Sequence, residues 1–402
     1  MARGGGTGGS QAAAPWSQVF GGLAAFVVLG LPDGMLGTAW LYARHSFHAP
    51  LDGLGALLAA ATLGAVLSSS VTGRLLKRLP LSRVMALATS VGTAGALIAF
   101  ISPGFLSFAG AIGLLGVAAG AIDGGVNTWL AQRHKARLLN LVHGFYGLGT
   151  TTGPLVLTAS ELLGSWRFAY LVLLAAELAV MTIWLTLGNS SRLEAEVVVA
   201  STSGAAAPRG RSSLAIFAGL LVFGTYTGLE VAGGQWGPSF SMGALGLSAA
   251  AAGLVGFGYW GLLSLVRVGL ALFTRPGRPE LVARGGMIIG LVASLLIWPI
   301  ALRPVALSGL LGLSGALAGV FPALIVLTPR RLGASVTHYA VGWQVAAANI
   351  GGATLSGVVG VILEQLGWHA FGPALSAIAL CLVALNLVFE RLAGRSGHAA
   401  LS

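Results

Sequence analysis

Residues 116–154 read GVAAGAIDGGVNTWLAQRHKARLLNLVHGFYGLGTTTGP, two apolar stretches joined by a short basic segment, 133–137. The aspartate at position 123 lies within about twenty otherwise apolar or small residues, a length typical of a membrane-spanning helix. A carboxylate in hydrocarbon costs roughly 2.5 to 3.5 kcal/mol on insertion scales, so it needs a functional or structural reason to be there. The segment therefore predicts two membrane helices with a polar interior between them.

The first of these helices has two distinct faces. Gly116, Gly120 and Gly124 follow the small-xxx-small spacing that lets another helix approach closely. Asp123 and Asn127 are four residues apart, so they share a face and can line a common cavity.

The second helix adds His143 and Tyr146. From the helical rise, both Asp123 and His143 fall within roughly 6 to 12 Å of the same membrane face, which makes them candidate neighbours. A hydrogen bond between them, direct or through one water, would make the pair titrate as a unit. The alternative is that His143, near a helix end, satisfies a backbone carbonyl. We interpret the polar interior as the substrate and coupling-ion site of a transporter.

Composition favours an all-α membrane protein. The 402 residues are 56% hydrophobic and only 8% charged, whereas soluble domains carry about 25% charged residues. The mean hydropathy is +0.88, and the 62 glycines suit closely packed membrane helices. These values exclude a soluble globular protein.

Twelve apolar segments of helical length are present, and one long polar break divides them into two groups of six. The predicted segments are 18–41, 52–72, 83–102, 105–131, 139–161, 166–187, 213–237, 248–273, 281–301, 304–328, 336–363 and 369–390. We therefore expect a disordered tail at 1–17, a bundle at 18–187, a linker at 188–212, a second bundle at 213–390 and a tail at 391–402.

The distribution of Lys and Arg predicts the orientation. With both termini in the cytoplasm, 18 of the 22 Lys and Arg residues fall on the cytoplasmic side, as positive loops do in cell membranes. The formal net charge of +11 is thus explained by topology, and nucleic-acid binding is not expected. An odd number of helices would scatter these charges over both sides.

The two groups of helices also repeat at nearly one offset. Gly64 and Gly261 are 197 residues apart, as are Arg78 and Arg275; Ala119-Gly120 and Ala318-Gly319 are separated by 199; and Gly144 and Gly153 match Gly342 and Gly351 at 198. Repeats of this kind predict two pseudo-symmetric six-helix bundles with a site between them near the midplane. Rocking of the two bundles would expose this site to each side of the membrane in turn.

These residues resemble the major facilitator superfamily, in particular the branch that contains fucose:proton symporters, sodium-dependent glucose transporter-like proteins and bypass-of-stop-codon proteins. The resemblance covers the whole chain and is most specific at AIDGGVNTWL, 121–130, and LLNLVHGFYGLGTTTGP, 138–154. It implies that Asp123 carries the coupling proton, that Asn127 and His143 bind substrate, and that Tyr146 takes the place of a sugar-contacting amide.

Further segments are similar to other helices of the family. TYTGLEVAGGQW, 225–236, resembles its seventh helix and WGLLSLVR, 260–267, its eighth. The family loop G-x-L-x-D-R-x-G-R is degenerate here: Gly73, Leu75 and Arg78 match, but Lys77 and Pro80 replace its Asp and second Gly. We expect Arg78 and Arg267 to act in gating; the alternatives for Arg267 are a snorkelling residue and a substrate ligand.

Three more acidic residues lie in apolar segments. Asp33 follows Pro32, where a broken helix would expose backbone to a cavity, and Glu230 lies at nearly the same depth in the seventh helix. We expect Asp33 and Glu230 to take part in proton coupling and to face each other across the two bundles; a purely structural hydrogen bond is the alternative for Asp33. Glu177 lies in the sixth helix, which the resemblance implies is peripheral, and its role stays open.

Aromatic and amide side chains supply a candidate binding wall. Trp260, Trp343 and Gln344, with Tyr146, are candidates to stack on or bond to a sugar, and core packing is the alternative. Cys381 is the only cysteine, so neither a disulfide nor a cysteine metal pair is expected. Phosphate-binding loops, zinc spacings and nucleophile elbows are missing from the sequence, so we expect neither an enzyme nor a cofactor.

The sequence thus predicts a monomeric secondary transporter in the cell membrane that moves a sugar or similar small polar solute with protons; sodium is an alternative coupling ion. Gly149-x-x-x-Gly153-Pro154 partly matches an antiporter signature, so a drug or metabolite:proton antiporter is the second interpretation. A third is a membrane protein that binds a ligand or lipid without transporting it.

Overall fold

The computed structural model describes residues 16–132, 136–187, 211–273 and 278–398, and these form an all-α membrane fold. The α-helices are α1 Trp16–Ser46, α2 Gly53–Arg78, α3 Leu81–Ile101, α4 Phe105–Gln132, α5 Ala136–Leu162, α6 Phe168–Thr186, α7 Arg211–Gly243, α8 Ala249–Phe273, α9 Pro279–Leu295, α10 Arg303–Leu317, α11 Val320–Leu332, α12 Ala334–Leu366 and α13 Phe371–His398. A 3₁₀ turn, Trp368–Ala370, precedes α13. Most of the predicted linker, 188–210, and of the predicted tails, 1–15 and 399–402, lies outside the described residues.

Twelve passes result because α10 and α11 together form one span, Arg303–Leu332. Within the described ranges, ten spans are long and apolar enough to cross a membrane, and the two remaining helices are the less apolar α5 and the 17-residue α9. Large apolar side chains such as Leu106, Leu265 and Leu272 are exposed on the outside of the bundle, where lipid would cover them. The predicted twelve-helix architecture is confirmed.

The glycine stripe of α4 packs against α2, as its spacing predicts. Gly116 lies against the backbone of Ala61, and Gly120 lies against the backbone of Ala65. A β-carbon at either glycine would collide with α2, so only glycine permits this separation of the two helices.

The internal repeat is visible in the helix packing. Gly153 brings α5 against the backbone of α1 around Gly34, and Gly351 brings α12 against α7 at Gly224. The corresponding pairs α1–α5 and α7–α12 therefore each pack through the equivalent glycine of the second helix, Gly153 or Gly351, as expected for two related six-helix bundles.

One part of the repeat is not matched in packing. Gly64 lies against α4 within its own bundle, whereas Gly261 of α8 faces Thr151 of α5 in the other bundle. The second bundle thus uses this face of α8 for contact with the first bundle.

The two bundles meet on one side of the membrane, which we call the far face; it carries the connections 47–52, 244–248 and the 3₁₀ turn. Here Gly37 of α1 packs on Gln235 of α7, and a β-carbon at Gly55 of α2 would come within 2.8 Å of the Gly357 α-carbon in α12. The amide N–H of Leu51 also donates a 2.7 Å hydrogen bond to Glu364 Oε2. The far face is therefore closed.

The opposite side, the termini face, carries the first residue of α1 and the last of α13. Glycines near this end of α2, α5, α8 and α12 are Gly73, Gly144, Gly269 and Gly342, and a β-carbon at any of them would meet no described atom within 4 Å. These four helices contact one another across the bundles toward the far face but not at these glycines, and we infer from this that the central cavity opens at the termini face.

The predicted break in α1 is wrong. Pro32 lies inside a continuous helix, Trp16–Ser46, and Asp33 and Gly34 are helical as well. The break in the chain occurs instead at Ala318 and Gly319, between α10 and α11. Pro322, four residues after Ala318, has no N–H to donate to the Ala318 oxygen.

Candidate functional site

Asp33 lies on the cavity side of α1 and is exposed there. The Tyr146 hydroxyl of α5 donates a 2.9 Å hydrogen bond to Asp33 Oδ2. Gln235 Nε2 of α7 donates a 2.9 Å hydrogen bond to the backbone oxygen of Asp33. The aspartate is thus located where α1, α5 and α7 converge, and its carboxylate makes no ion pair with any described residue.

Glu230 lies on α7 and forms an ion pair with Arg267 of α8, with 3.3 Å between Glu230 Oε2 and Arg267 Nη2. The hydroxyl of Tyr226, one turn earlier on α7, donates a hydrogen bond to the same carboxylate oxygen. Tyr146 also interacts electrostatically with both Glu230 and Arg267. Asp33 and Glu230 are therefore brought together at one polar region between the two bundles.

Arg267 also stabilises the break between α10 and α11. Its Nε donates a 3.0 Å hydrogen bond to the backbone oxygen of Ala318, and the Tyr226 hydroxyl lies 3.1 Å from the backbone oxygen of Leu317. Backbone carbonyls freed by a helix break need partners in a low-dielectric interior. Arg267 and Tyr226 consequently connect the ion pair with Glu230 to the helix break between α10 and α11.

Tyr259 of α8 supports this network from behind. Its hydroxyl donates a 2.9 Å hydrogen bond to the backbone oxygen of Glu230, and its own backbone oxygen accepts a hydrogen bond from Ser314 of α10. The position of Glu230 is therefore fixed by α7, α8 and α10 together.

Asp123 and Asn127 lie on one face of α4, as predicted. Asn127 Nδ2 donates a 2.9 Å hydrogen bond to Asp123 Oδ1. His143 interacts electrostatically with both Asp123 and Arg267, but makes no direct hydrogen bond to Asp123. The His143 ring instead packs edge-on against Phe26 of α1, with 5.4 Å between ring centroids. Asp123 and His143 thus interact electrostatically but do not form a hydrogen bond with each other.

The cavity ends toward the far face where α5 approaches α8. Ser264 of α8 lies 3.3 Å from both the hydroxyl of Thr151 and the backbone oxygen of Gly147. Closer to the far face, Thr158 of α5 packs against Gly253 of α8. These contacts join the bundles below the site.

Three residues of the predicted binding wall, Trp260, Trp343 and Gln344, form no hydrogen bond with the acidic groups of the site. Trp260 is largely buried, with its ring against Gly234 and at 5.4 Å from the Tyr259 ring. Trp343 is 65% exposed near the termini-face end of α12. Gln344 is fully buried and accepts a 2.9 Å hydrogen bond from Thr328 of α11, so its side chain does not reach the cavity in this state.

Arg78 and Glu177 lie outside the central site. Arg78 is exposed at the termini-face end of α2 and makes no ion pair with a described residue. Glu177 is only 3% exposed and packs against Gly92, between α6 and α3. Glu177 is thus buried in the periphery of the first bundle.

Sequence reasoning missed Tyr226, Tyr259 and Ser264. Tyr226 precedes Glu230 by four residues, so the spacing that joined Asp123 to Asn127 also applied here and was not used. Tyr259 and Ser264 have no comparable signal, because each acts through a backbone oxygen of another helix. Among the described residues, no group of three or more His, Cys, Asp and Glu side chains is arranged to hold a metal ion.

Several solved structures share this fold. The chain matches a nucleoside transporter, NupG (D323A mutant), at 13% identity with a TM-score of 0.73, covering 94% of this chain and 99% of the other. It matches a D-xylose-proton symporter at 15% identity with a TM-score of 0.71, covering 91% and 97%. The human organic anion transporter MFSD10 (TETRAN) matches at 19% identity with a TM-score of 0.65, covering 92% and 100%. Identities this low show similarity of fold alone.

No curated protein matches the sequence. The family profile described as Major Facilitator Superfamily matches residues 22–354, most of the chain. The twelve-pass fold agrees with that match, and the chain belongs to the Major Facilitator Superfamily of membrane transporters.

Proposed function

We propose that this protein is a secondary transporter that carries a sugar or similar small polar solute together with protons by alternating access. The observation that carries the proposal is a polar cavity between the bundles, closed at the far face, in which Asp33 and Asp123 make no ion pair with a described residue while Glu230 is paired with Arg267. Solute and proton would bind in this cavity between the two six-helix bundles.

The unpaired carboxylates support proton coupling. A carboxylate without a cationic partner is costly to enclose when the cavity closes, and protonation removes that charge. Asp123 has Asn127 and the nearby His143 as partners, and Asp33 has Tyr146. Both groups are therefore proposed to take up protons that accompany the solute, with Glu230 held in its ion pair during this step. Carboxylate and carbonyl oxygens suit sodium as well, so sodium is a comparison ion in the test.

The hydrogen-bonding groups favour a neutral, hydroxyl-rich solute. Tyr146, Asn127, His143 and Ser264 offer donors and acceptors along the cavity, and the permanent cation Arg267 is already paired. A nucleoside transporter and a D-xylose-proton symporter share the fold, and both ligands named there carry several hydroxyl groups. Trp260 and Trp343 are retained as proposed contacts for apolar C–H faces of the solute, and Gln344 as a contact in another state of the carrier.

We propose that the protein is a monomer in the cell membrane. The proposed orientation places the termini face on the cytoplasmic side. Basic residues concentrate on this face, including Arg284, Arg330 and Arg331, which pair with Glu280 and Glu390 there. The structure would then represent a carrier open to the cytoplasm.

Uptake into proteoliposomes tests the proposal. D-Xylose and uridine, each labelled, are offered to the reconstituted protein with and without an inward proton gradient, and with a sodium gradient as the comparison. We expect one of the two classes to accumulate only with the proton gradient. Equilibration at the same rate with and without any gradient would show that transport is uncoupled.

A proton antiporter is the second candidate, because Gly149 and Gly153 partly match an antiporter signature. In the structure both glycines pack on the α1 backbone near Gly30 and Gly34, so helix packing already explains them. Antiport predicts that an inward proton gradient expels a preloaded solute instead of accumulating it. Binding of a solute with no movement in either direction would favour the third class, a non-transporting receptor.

A further inference from the structure

A second cavity of about 220 Å³ lies on the far face between the two bundles. Its wall is formed by Leu41, Arg44 and His45 of α1, by Ser239, Met242 and Gly243 of α7, and by Trp368 of the 3₁₀ turn. The packing of Gly37 on Gln235 lies one turn deeper and separates this pocket from the central site. The far pocket is therefore a distinct space with its own chemistry.

Two polar groups of the far pocket lack protein partners. Arg44 forms no ion pair or side-chain hydrogen bond with the part of the chain that the structure describes. The Ser239 side chain is 97% buried and its hydroxyl makes no hydrogen bond, although it lines the pocket. An unpaired hydroxyl in a buried position is unfavourable, and a bound ligand would supply its missing hydrogen bond.

The remaining walls define what else the ligand contains. Leu41 and Met242 are apolar, and the Trp368 indole adds an aromatic surface. Arg binds carboxylates through paired, charge-assisted hydrogen bonds, whereas aromatic rings pack on indole and aliphatic side chains. We propose that the far pocket binds a small organic anion, a carboxylate on a flat apolar body, with Arg44 and Ser239 holding the carboxylate and Trp368 contacting the ring.

The pocket exists because the far face is closed. α1 belongs to the first bundle, while α7 and the 3₁₀ turn belong to the second, so separation of the bundles at this face would divide the wall. A ligand that binds one of two states shifts the equilibrium toward that state in proportion to its differential affinity. The anion therefore holds the far face closed, a consequence that rests on the alternating access proposed above.

Binding to the full-length protein in detergent tests the site without requiring transport. Benzoate is the probe, and benzyl alcohol is its neutral counterpart of similar size. By isothermal titration, we expect benzoate to bind at least tenfold more tightly than benzyl alcohol. Arg44→Gln should remove this preference, and Ser239→Ala should weaken benzoate binding about fivefold.

A matched control is available at Arg303, whose guanidinium lies near Gly246 on the same face but outside the pocket wall. Arg303→Gln should leave benzoate binding unchanged. Equal binding of the two probes, or equal loss in the Arg44 and Arg303 variants, would overturn the site. Thermal unfolding of each variant without ligand identifies any that fails to fold, and the Ser239→Ala variant then decides.

A distance measurement tests the consequence for the far face. Cys381 is the only cysteine, so a Cys381→Ser background accepts spin labels at Leu163→Cys and Leu302→Cys, which are exposed on this face in the first and second bundles. Benzoate should increase the population with the shorter label separation, and Arg44→Gln should abolish the increase. An unchanged distance distribution at saturating benzoate would overturn the closing role, whatever the uptake assay of the proposed function shows.

Discussion

The hydroxyl of Tyr146 donates a 2.9 Å hydrogen bond to Oδ2 of Asp33, and this contact joins α5 to α1 at the wall of the central cavity. Asp33 makes no ion pair with a described residue, so this hydroxyl is its main polar partner from a side chain. Glu230, its counterpart in the second bundle, has both Arg267 and Tyr226. The two carboxylates occupy related positions in unequal surroundings, which suits different roles.

Tyr146→Phe should alter the pH dependence of transport. A hydrogen bond donated to a carboxylate favours its charged form, so its loss favours the protonated form. The acid-dependent rise in uptake should therefore extend to higher pH in the variant than in the unmodified protein. The measurement is initial uptake between pH 5 and 9.

Tyr170→Phe provides the control for this change. Tyr170 packs among Phe108 and Trp166 in the first bundle, away from the cavity. Its variant should keep the original pH profile. The assignment to Asp33 would be contradicted if Tyr146→Phe changed only the half-saturation concentration.

Asp123→Asn should abolish accumulation driven by a proton gradient but preserve exchange of labelled for unlabelled solute. The amide keeps the shape of the side chain and its partner Asn127, but it cannot take up or release a proton. Counterflow in proteoliposomes measures exchange, and uptake under an inward gradient measures coupling.

Glu177→Gln is the matched control, because this buried carboxyl lies between α6 and α3 and not at the cavity. It should retain accumulation. Full accumulation by Asp123→Asn would instead assign the coupled proton to another group, and Asp33→Asn would then be the variant that loses it.

Much of this site could be predicted from the sequence because a charge inside a membrane protein is confined to few places. The cost of exposing Asp33, Asp123 or Glu230 to lipid forces each toward the interior, and four-residue spacing on α4 then fixes Asn127 beside Asp123. Gly116 and Gly120 identified a packing face for a different reason, because only glycine lets two helices approach so closely.

The rest could not be predicted, because apolar helices give weak information on their orientation. Gln344 and Trp343 are adjacent on α12, and nothing in a nearly uniform apolar pattern shows that one is buried and the other exposed. Proline also misled: Pro32 lies in a continuous helix, which neighbouring helices tolerate. The break at Ala318 lies four residues before Pro322, which has no N–H for the Ala318 oxygen. The partners of the freed carbonyls, Arg267 and Tyr226, are distant in sequence.

His143→Gln should shift the pH optimum of uptake. The imidazole interacts with Asp123 through charge, without a direct hydrogen bond, and with Arg267. Glutamine keeps hydrogen-bonding capacity but carries no titratable charge, so an effect on the pH profile reports the electrostatic role. An unchanged pH profile with a raised half-saturation concentration would make His143 a solute ligand only.

Arg267→Gln should destabilise the protein more than Glu230→Gln. Loss of the arginine leaves the Glu230 carboxylate without its cationic partner and the Ala318 carbonyl without its donor, whereas Glu230→Gln keeps the contact to Ala318. Because Arg267 is partly exposed, we expect a cost of about 2 kcal/mol, below that of a fully buried pair. Thermal unfolding in detergent at one scan rate gives the order of the variants.

The double variant separates the two contributions of Arg267. If the ion pair alone mattered, Arg267→Gln with Glu230→Gln would regain the stability of Glu230→Gln; we expect it to remain lower because Ala318 is still unpaired. Arg284→Gln, which breaks an exposed ion pair with Glu390, should cost at most about 1 kcal/mol. Equal midpoints for the double variant and Glu230→Gln would exclude a role in the helix break.

Glu364→Ala should open the far face. Glu364 Oε2 accepts a 2.7 Å hydrogen bond from the Leu51 amide just before the N-terminus of α2. A carboxylate of the second bundle therefore stabilises the N-terminal end of a helix in the first bundle. Hydrogen bonds to charged groups contribute about 1.5 to 3 kcal/mol, which corresponds to a population shift of roughly tenfold or more. Spin labels at Leu163→Cys and Leu302→Cys in the Cys381→Ser background should report a larger population at the longer separation.

Gln365→Ala, at the exposed neighbouring position, is the control and should leave the distances unchanged. Glu364→Gln should fall between the two, because an amide oxygen still accepts the Leu51 hydrogen bond but lacks the charge that strengthens it. The ordering Ala, then Gln, then the unmodified protein is expected if this hydrogen bond contributes to holding the bundles together at the far face. Identical distance distributions in all three would leave closure to the packing of Gly55 on Gly357 and Gly37 on Gln235, and Gly55→Val should then open the face by itself.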